Sequence, residues 1–382
     1  MPILYRRKGK KLIIPFLDRR VVTHFDFLLI ALILPLIGLS LFLVSEISQA
    51  LANKQMVYTT LALLIFLVIF FFPLRRYTWL IPFIYWVNIL LLIAVKLFGV
   101  AKLGAQRWLE IPLVHLTIQP SELMKPAFIL MLGYIIARNP PPLEGYDWKD
   151  FFKITAYILL PFFLIASEPD LGTATLILFV GGGVLLSVGI RRKIWITVGA
   201  ILLLSSTLIY ENLHDYQKKR INDFLAEKPS YHVQQSIIAI GSGGLLGKEK
   251  EESTQTQLKF LPISSSDFIF AYLVERFGFI GAFMLILLYA FLILHLLSLT
   301  QKVRQDYLAG VVIVSVAILI FLYMSVNIAM TIGLAPVVGI PLPLFSHGGS
   351  SFINFIALIA IIENLLAFRF NYMYSIHTQF ND

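Results

Sequence analysis

The sequence predicts an all-α, polytopic membrane protein of about ten transmembrane helices, with both termini cytoplasmic and a long extracytoplasmic loop between helices 7 and 8. Three observations carry this. The 382 residues are 58% hydrophobic and only 14% charged, with a mean hydropathy of +0.82, a balance that soluble domains do not carry. Apolar runs of membrane-spanning length recur along the chain. Short basic loops fall on alternate sides of successive runs.

A hydrocarbon core takes roughly 20 mostly apolar residues per helix. On that template the spans fall near residues 27–44, 57–72, 79–100, 121–137, 154–167, 173–190, 194–210, 267–297, 308–330 and 350–368. The eighth is longer than a bilayer requires, so it tilts or projects into water. The basic N-terminus (Arg6, Arg7, Lys8, Lys10, Lys11, Arg19, Arg20) precedes an apolar run too long for a signal peptide's core, so no cleavable signal is expected. Arg75 and Arg76, Arg138 with Lys149 and Lys153, Arg191 to Lys193, and Lys302 with Arg304 share one side with it, the cytoplasmic side. Segments 101–120, 168–172, 211–266 and 331–349 are then outside. The chain reads as a basic N-terminus (1–26), one transmembrane domain (27–368) that includes the large loop 211–266, and a cytoplasmic tail (369–382).

Several classes are excluded at this point. There is no cysteine, hence no disulfide and no cysteine-ligated metal or cluster. The net charge of +9 is accounted for by cytoplasmic anchors, so no nucleic-acid partner is expected. There is no P-loop and no dinucleotide fingerprint. An outward-facing catalyst has no access to ATP, and its substrate must arrive activated. A lipid-linked pyrophosphate meets that need; a transporter stays open.

The even-numbered spans 4, 6, 8 and 10 run from outside to inside, and each opens on a polar or glycine-rich motif: QPSE (119–122), EPDLGT (168–173), SSSD (264–267) and SHGGSS (346–351). Helix N-termini there offer unpaired N–H groups and a partial positive charge, a seat for anions. Glu122 and Lys125 share a helix face. They are either a self-neutralising pair or a functional one, since a charge at membrane depth costs about 2.5–3.5 kcal/mol. Asp267 behind Ser264, Ser265 and Ser266 is either a helix cap, which spacing alone favours, or a general base at the membrane boundary. Glu275 and Arg276 cannot face each other and need other partners, as buried contacts or as cavity lining. Glu168-Pro169-Asp170 reads as a turn that caps the sixth span. Gly241 to Gly244 is a turn or a phosphate nest. Ser346 to Ser351 is a turn and cap or a close-approach site for an anionic headgroup, and His347 has no metal-ligand spacing around it. Arg107-Trp108 is an interfacial anchor, or it holds a phosphate and stacks on a sugar; Arg220 and Lys248 are candidates of the same kind.

The pieces GAQRW (104–108), QPSELMK (119–125), PDLGTA (169–174), YHVQQSIIAIGSGGLLGK (231–248), TQTQLKFLP (254–262), DFIFA (267–271), GFIG (278–281) and GIPLPLFSHGGSS (339–351) cover most of the chain in order. In that order they resemble the SEDS family (shape, elongation, division, sporulation), and the TQTQL run is similar to its rod-shape branch rather than its division branch. The resemblance implies peptidoglycan glycosyltransfer: polymerisation of lipid II into β-1,4 glycan strands on the outer face of the cytoplasmic (inner) membrane during cell elongation. It implies a class B penicillin-binding protein transpeptidase and other elongation-complex proteins as partners. The family's essential aspartate maps onto Asp267 as general base, and its glutamate and lysine onto Glu122 and Lys125, facing the same cavity. Substrate contacts are expected from Arg107, Trp108, Arg220, Gln235, Ser242, Gly243, Lys248, Ser346, Gly348, Gly349 and Ser350. Lys125, Arg107 and Arg220 are the candidates for neutralising the pyrophosphate. No cofactor is assigned with certainty; a divalent cation (Mg2+ or Mn2+) at the pyrophosphate is left open, with no dedicated ligand cluster. Two departures stand out. The family reads E-x-H-T-D before DFIF, where this chain has Ile263-Ser264-Ser265-Ser266-Asp267, and it reads S-Y-G-G-S-S where this chain has His347. A lipid II flippase and a non-catalytic scaffold are the competing classes.

Overall fold

The computed structural model describes residues 19–102, 105–111, 116–211, 213, 215–226, 229–257, 260–261 and 264–369. Most of the expected N-terminal region (1–18) and of the C-terminal tail (370–382) lies outside the described residues, as do Gly104 and Leu258, Lys259, Pro262 and Ile263 of the matched motifs. In chain order the elements are α1 (Arg19–His24), α2 (Phe27–Ile47), α3 (Gln49–Phe71), α4 (Leu80–Phe98), a ribbon of β1 (Val100–Lys102), β2 (Ala105–Ile111) and β3 (Leu116–Ile118), then α5 (Pro120–Arg138), α6 (Trp148–Ser167) and α7 (Leu171–Val188). There follow α8 (Arg192–Leu204), α9 (Ser206–Glu211), α10 (Asp215–Leu225), α11 (Tyr231–Gly243), α12 (Thr254–Gln257), α13 (Ile269–Leu299), α14 (Tyr307–Thr331) and α15 (Gly349–Ala367).

Acidic caps start several of these helices. Asp26, Asp147, Asp170 and Asp306 each accept a hydrogen bond from the backbone N–H three residues on, at 3.0, 3.1, 3.3 and 3.2 Å. Nine described helices are long and apolar enough to cross a membrane. The chain is thus a multi-pass membrane protein. The seventh expected span is present as two helices, α8 and α9, separated at Ser205. Neither alone has spanning length.

α5 and α15 are buried over most of their surface, while α3 and α13 show most of theirs outward. A helix apolar all round belongs inside a bundle, and α14 packs beside them, closing the core around Phe128, Tyr323, Phe352 and Phe355.

The outer loops carry structure that hydropathy does not announce. Segment 100–118 folds as a small antiparallel ribbon, with Val100 opposite Trp108 and Glu110 opposite Thr117. Its strands are too short to show an alternation that stands out from loop sequence. The large loop holds α10, α11 and α12. The excess length of the eighth span has a specific cause: α13 is broken at Gly278, which sits at φ 63° and ψ −162°. There the N–H groups of Phe279 and Ile280 are donated not within the helix but to the carbonyls of Gly244 and Leu245, at 2.9 and 3.2 Å. The chain leaving α11 is thereby inserted into the ladder of α13. A short half-helix above the break carries the site side, and the segment below it spans.

Candidate active site

Asp267 lies in a turn that precedes α13, whose first residue is Ile269 and whose N-cap position is Phe268, without a side-chain cap. The capping reading of Asp267 is therefore set aside: the helix begins too late for its carboxylate to serve. Backbone contacts fix the residue instead. Asn327 on α14 donates its amide to the carbonyls of both Asp267 (2.9 Å) and Ile340 (2.7 Å). Ser346 donates to the Ser266 carbonyl (2.6 Å) while accepting from the Leu342 N–H (2.8 Å), and the His347 N–H reaches the Ser265 carbonyl (2.8 Å). Segment 265–267 is thus stitched to segment 340–347, which joins two of the four outer motifs. The carboxyl is half-buried beside Gly339, where a Cβ would stand 3.6 Å from its oxygen. Burial raises its pKa above the usual range, and a hydrogen bond from Ser266 opposes the shift.

A second cluster forms around the turn between α6 and α7. Arg107 on β2 donates from Nε to the Glu168 carbonyl (3.3 Å), and also to the Pro169 carbonyl, with Asp170 at 3.8 Å. Asp170 caps α7 and accepts from Gln119 (3.2 Å) and Ser121 (3.3 Å) at the mouth of α5. Glu168 is 3% exposed, with neither carboxyl oxygen hydrogen-bonded. Burial, then the charge of Asp170, push its pKa up to about 8 against the pull of Arg107. This cluster meets Asp267 through segment 338–340: Gly172 of α7 packs where a Cβ would come within 3.1 Å of the Val338 carbonyl, next to Gly339.

Glu122 and Lys125 form the predicted pair at 2.6 Å. Lys125 also donates to the Tyr323 hydroxyl, and Asn354 of α15 donates to the other Glu122 oxygen at 3.1 Å. The lysine is only 3% exposed. Two of its three ammonium donors are used on these neighbours, and the pair ties α5, α14 and α15 together behind the outer motifs.

A cavity of about 230 Å³ lies between α10, the start of α11 and segment 333–337, lined by Arg220, His232 and Pro336 among others. His232 stands 6.3 Å, ring to ring, from Phe268, the neighbour of Asp267. Gln235 is half-buried on α11. Ser242 and Gly243 occupy the last turn of that helix, where N–H groups are already bonded to carbonyls one turn back. The phosphate-nest reading is therefore corrected: Gly243 is glycine because the Val274 carbonyl of α13 would lie 2.0 Å from a Cβ. Lys248 is pinned by its backbone, donating to the Glu275 carbonyl (3.0 Å) and accepting from Arg276 (2.6 Å). Glu275 and Arg276 are buried contacts rather than cavity lining. Glu275 accepts from the Gln255 N–H (3.0 Å) and the Thr256 hydroxyl (2.9 Å), and Arg276 grips Glu46 of α2 at 2.8 and 2.9 Å. Gly348 precedes α15, Gly349 admits the Tyr58 ring of α3 (2.8 Å from a Cβ), and Ser350 is exposed in the first turn. Trp108 is half-buried on β2. Among the described residues no group of three or more His, Cys, Asp or Glu gathers to hold a metal ion.

The FtsW/RodA/SpoVE family of cell cycle proteins matches residues 17–371. The chain belongs to this family. It is 53% identical to the peptidoglycan glycosyltransferase MrdB of Helicobacter pylori strain 26695 over 96% of both chains. It is 37% identical to MrdB of Escherichia coli K12, over 81% of this chain and 84% of that protein. Its fold is similar to a chain from a peptidoglycan synthase complex studied for its coordination of polymerization and crosslinking (TM-score 0.77, 27% identity, 91% of this chain and 98% of that one). It is also similar to the rod shape determining protein RodA of Thermus thermophilus (TM-score 0.67, 25% identity, 89% and 96%).

Three residues that hold the site escaped the sequence reading: Asn327, Tyr323 and Asn354. Each is a polar residue inside an otherwise apolar span. Because such groups are expensive in a bilayer and face protein partners, their position was the available signal. What the linear pattern lacks is the identity of the partner.

Proposed function

We propose that this chain is a peptidoglycan glycosyltransferase that polymerises lipid II at the outer face of the cytoplasmic membrane, with Asp267 as general base. The observation that carries this reading is the carboxyl of Asp267. It is half-buried, its pKa is raised, no described cation pairs with it, and its backbone is locked on both sides by segment 340–347. A base that is desolvated but not neutralised has the proton affinity that general-base catalysis needs near neutral pH.

In the proposed reaction Asp267 takes the proton of the acceptor's 4-hydroxyl. That oxygen bonds to the anomeric carbon of the donor, whose bond to the pyrophosphate oxygen breaks. Undecaprenyl pyrophosphate leaves with the bonding electrons, and the α-linked donor becomes a β-1,4 linkage. Arg220 lines the cavity whose His232 packs 6.3 Å from Phe268, and is a candidate for the leaving group's charge. The first turn of α15, which opens on Gly348 without a side-chain cap, leaves backbone N–H groups for the same oxyanions. Arg107 acts one step back, by holding the turn of Glu168 to Asp170. Glu122 and Lys125 hold the helices that carry these groups. A class B penicillin-binding protein is the proposed partner, a reading supported by the resemblance to a chain of a synthase complex in which polymerization and crosslinking are coordinated.

The test is reconstitution of the purified chain in vesicles with labelled lipid II and a class B penicillin-binding protein whose transpeptidase is blocked. Glycan strands are the expected product. Passage of lipid II across the bilayer without any polymer would overturn the reading in favour of a flippase.

A further inference from the structure

At the end of the bundle opposite the outer motifs, where α5 ends and α6 begins, α4, α5 and α6 enclose a cleft of about 770 Å³. That is ample for a lipid headgroup and its glycerol. Its floor is aromatic and apolar: Trp86 and Tyr157 stand 6.4 Å apart in an edge-to-face pair, with Met131 and Ile135 beside them. Its rim carries Arg138, Lys149 and Lys153. None of these three cations makes an ion pair with a described residue. Asp147 and Asp150 also line the cleft, so the rim is net positive by one charge (three cations against two carboxylates). Asp147 accepts from the Asp150 N–H (3.1 Å) as the cap of α6, and Asp150 accepts from the Asn139 amide (2.8 Å), so neither pairs with a cation of the rim.

Two features separate this arrangement from ordinary cytoplasmic anchoring. Lys149 and Lys153 are four residues apart, on one face of the first turns of α6. There the helix dipole disfavours cations, so helix stability does not account for them. Arg138 lies over the ring of Tyr134, at 4.6 Å from its centroid. That cation–π contact uses no N–H donor, so the guanidinium can still bond an oxyanion.

We propose that this cleft binds the headgroup of an anionic glycerophospholipid from the adjoining leaflet. The phosphodiester would sit between Arg138 and the two lysines, and the glycerol and first methylenes would lie along Trp86 and Tyr157. A soluble anion would satisfy the rim but not the aromatic floor, whose tryptophan and tyrosine are the residue types that anchor at membrane interfaces. The inference rests on the membrane reading of the bundle and not on glycosyl transfer, so it stands or falls separately from the proposed reaction.

The test uses the full chain in detergent micelles doped with phosphatidylglycerol or phosphatidylcholine, with bound lipid counted by native mass spectrometry. Phosphatidylglycerol is expected to bind at least about tenfold more tightly than phosphatidylcholine, and R138Q/K149Q/K153Q to lose that preference. A control triple on the same side, R191Q/R192Q/K193Q, is expected to keep it, and matched melting temperatures exclude misfolding as the cause. Equal binding of the two lipids by the wild type would overturn the proposal. So would an equal loss in the control triple, which would mean diffuse charge only, or full displacement of the lipid by millimolar inorganic phosphate.

Discussion

Glu168 and Asp267 are both carboxyl groups withdrawn from water at the outer mouth, and the consequences of that withdrawal differ. For Glu168 the pKa rises from 4.5 to about 8 on folding. The folded state therefore holds a proton that the unfolded chain has lost. The sign follows: relative stability is complete below the ordinary carboxyl range and is lost as pH rises through the window up to about 8. Glu168→Gln removes that loss. Its melting temperature should match the wild type's near about pH 3 and exceed it near about pH 9, where the stability difference is on the order of a few kcal/mol; a constant gap across the range would contradict the burial of an unpaired acid here. For Asp267 the raised pKa places the acid limb of polymerisation above the range of an ordinary aspartate, because protonation removes the base. The Glu122–Lys125 pair is a third case. Breaking one partner leaves a charge buried and should cost about 3–5 kcal/mol in thermal unfolding, whereas Glu122→Gln with Lys125→Met should cost less than the sum of the single changes.

At the scale of elements, α11 and α13 show how much a sequence states and where it stops. The amphipathic length of the spans, their order and the position of the outer polar motifs were legible, because bilayer thickness and hydropathy leave few alternatives. The break in α13 was visible only as a span too long for its membrane. Its cause is the insertion of 244–245 at Gly278, a long-range contact with no local signature. The run from Gly241 to Gly244 shows the same limit. A glycine that binds phosphate and a glycine crossed by a neighbouring backbone look alike until the neighbour is placed. Gly243 and Gly241 separate by substitution. Gly243→Ala pushes a methyl into the Val274 carbonyl and should destabilise by more than about 1 kcal/mol. Gly241→Ala, in the same helix with open space around it, should stabilise by roughly 0.5–1 kcal/mol. Thermal melts of the two variants check the close approach directly.

At the scale of the whole molecule, an inner bundle of α5, α14 and α15 is held by buried polar contacts, and its outer mouth gathers motifs that are far apart in sequence: β2, the α6–α7 turn, the approach to α13 and the approach to α15. That gathering was legible as topology. The pairings inside it, Arg107 with the Glu168–Asp170 turn and Asn327 with Asp267, were not, because they depend on side-chain geometry across segments. Orientation is open to a clean test, since the chain has no cysteine. Glu249→Cys should react with an impermeant maleimide added outside spheroplasts, and Leu143→Cys only after lysis. Reversal of that pattern would place the Asp267 mouth on the wrong side for an extracytoplasmic substrate.

The measurement that bears most directly on the account is lipid II polymerisation by wild type and Asp267→Asn, each purified with the same transpeptidase-blocked penicillin-binding partner. Because Asp267 caps no helix and its backbone is held by other residues, the variant should fold, bind its partner and melt as the wild type does. It should make less than about a hundredth of the polymer, the loss expected when a general base is removed. Polymer at the wild-type rate from a folded, partner-bound Asp267→Asn protein would contradict the assignment of Asp267 as the base.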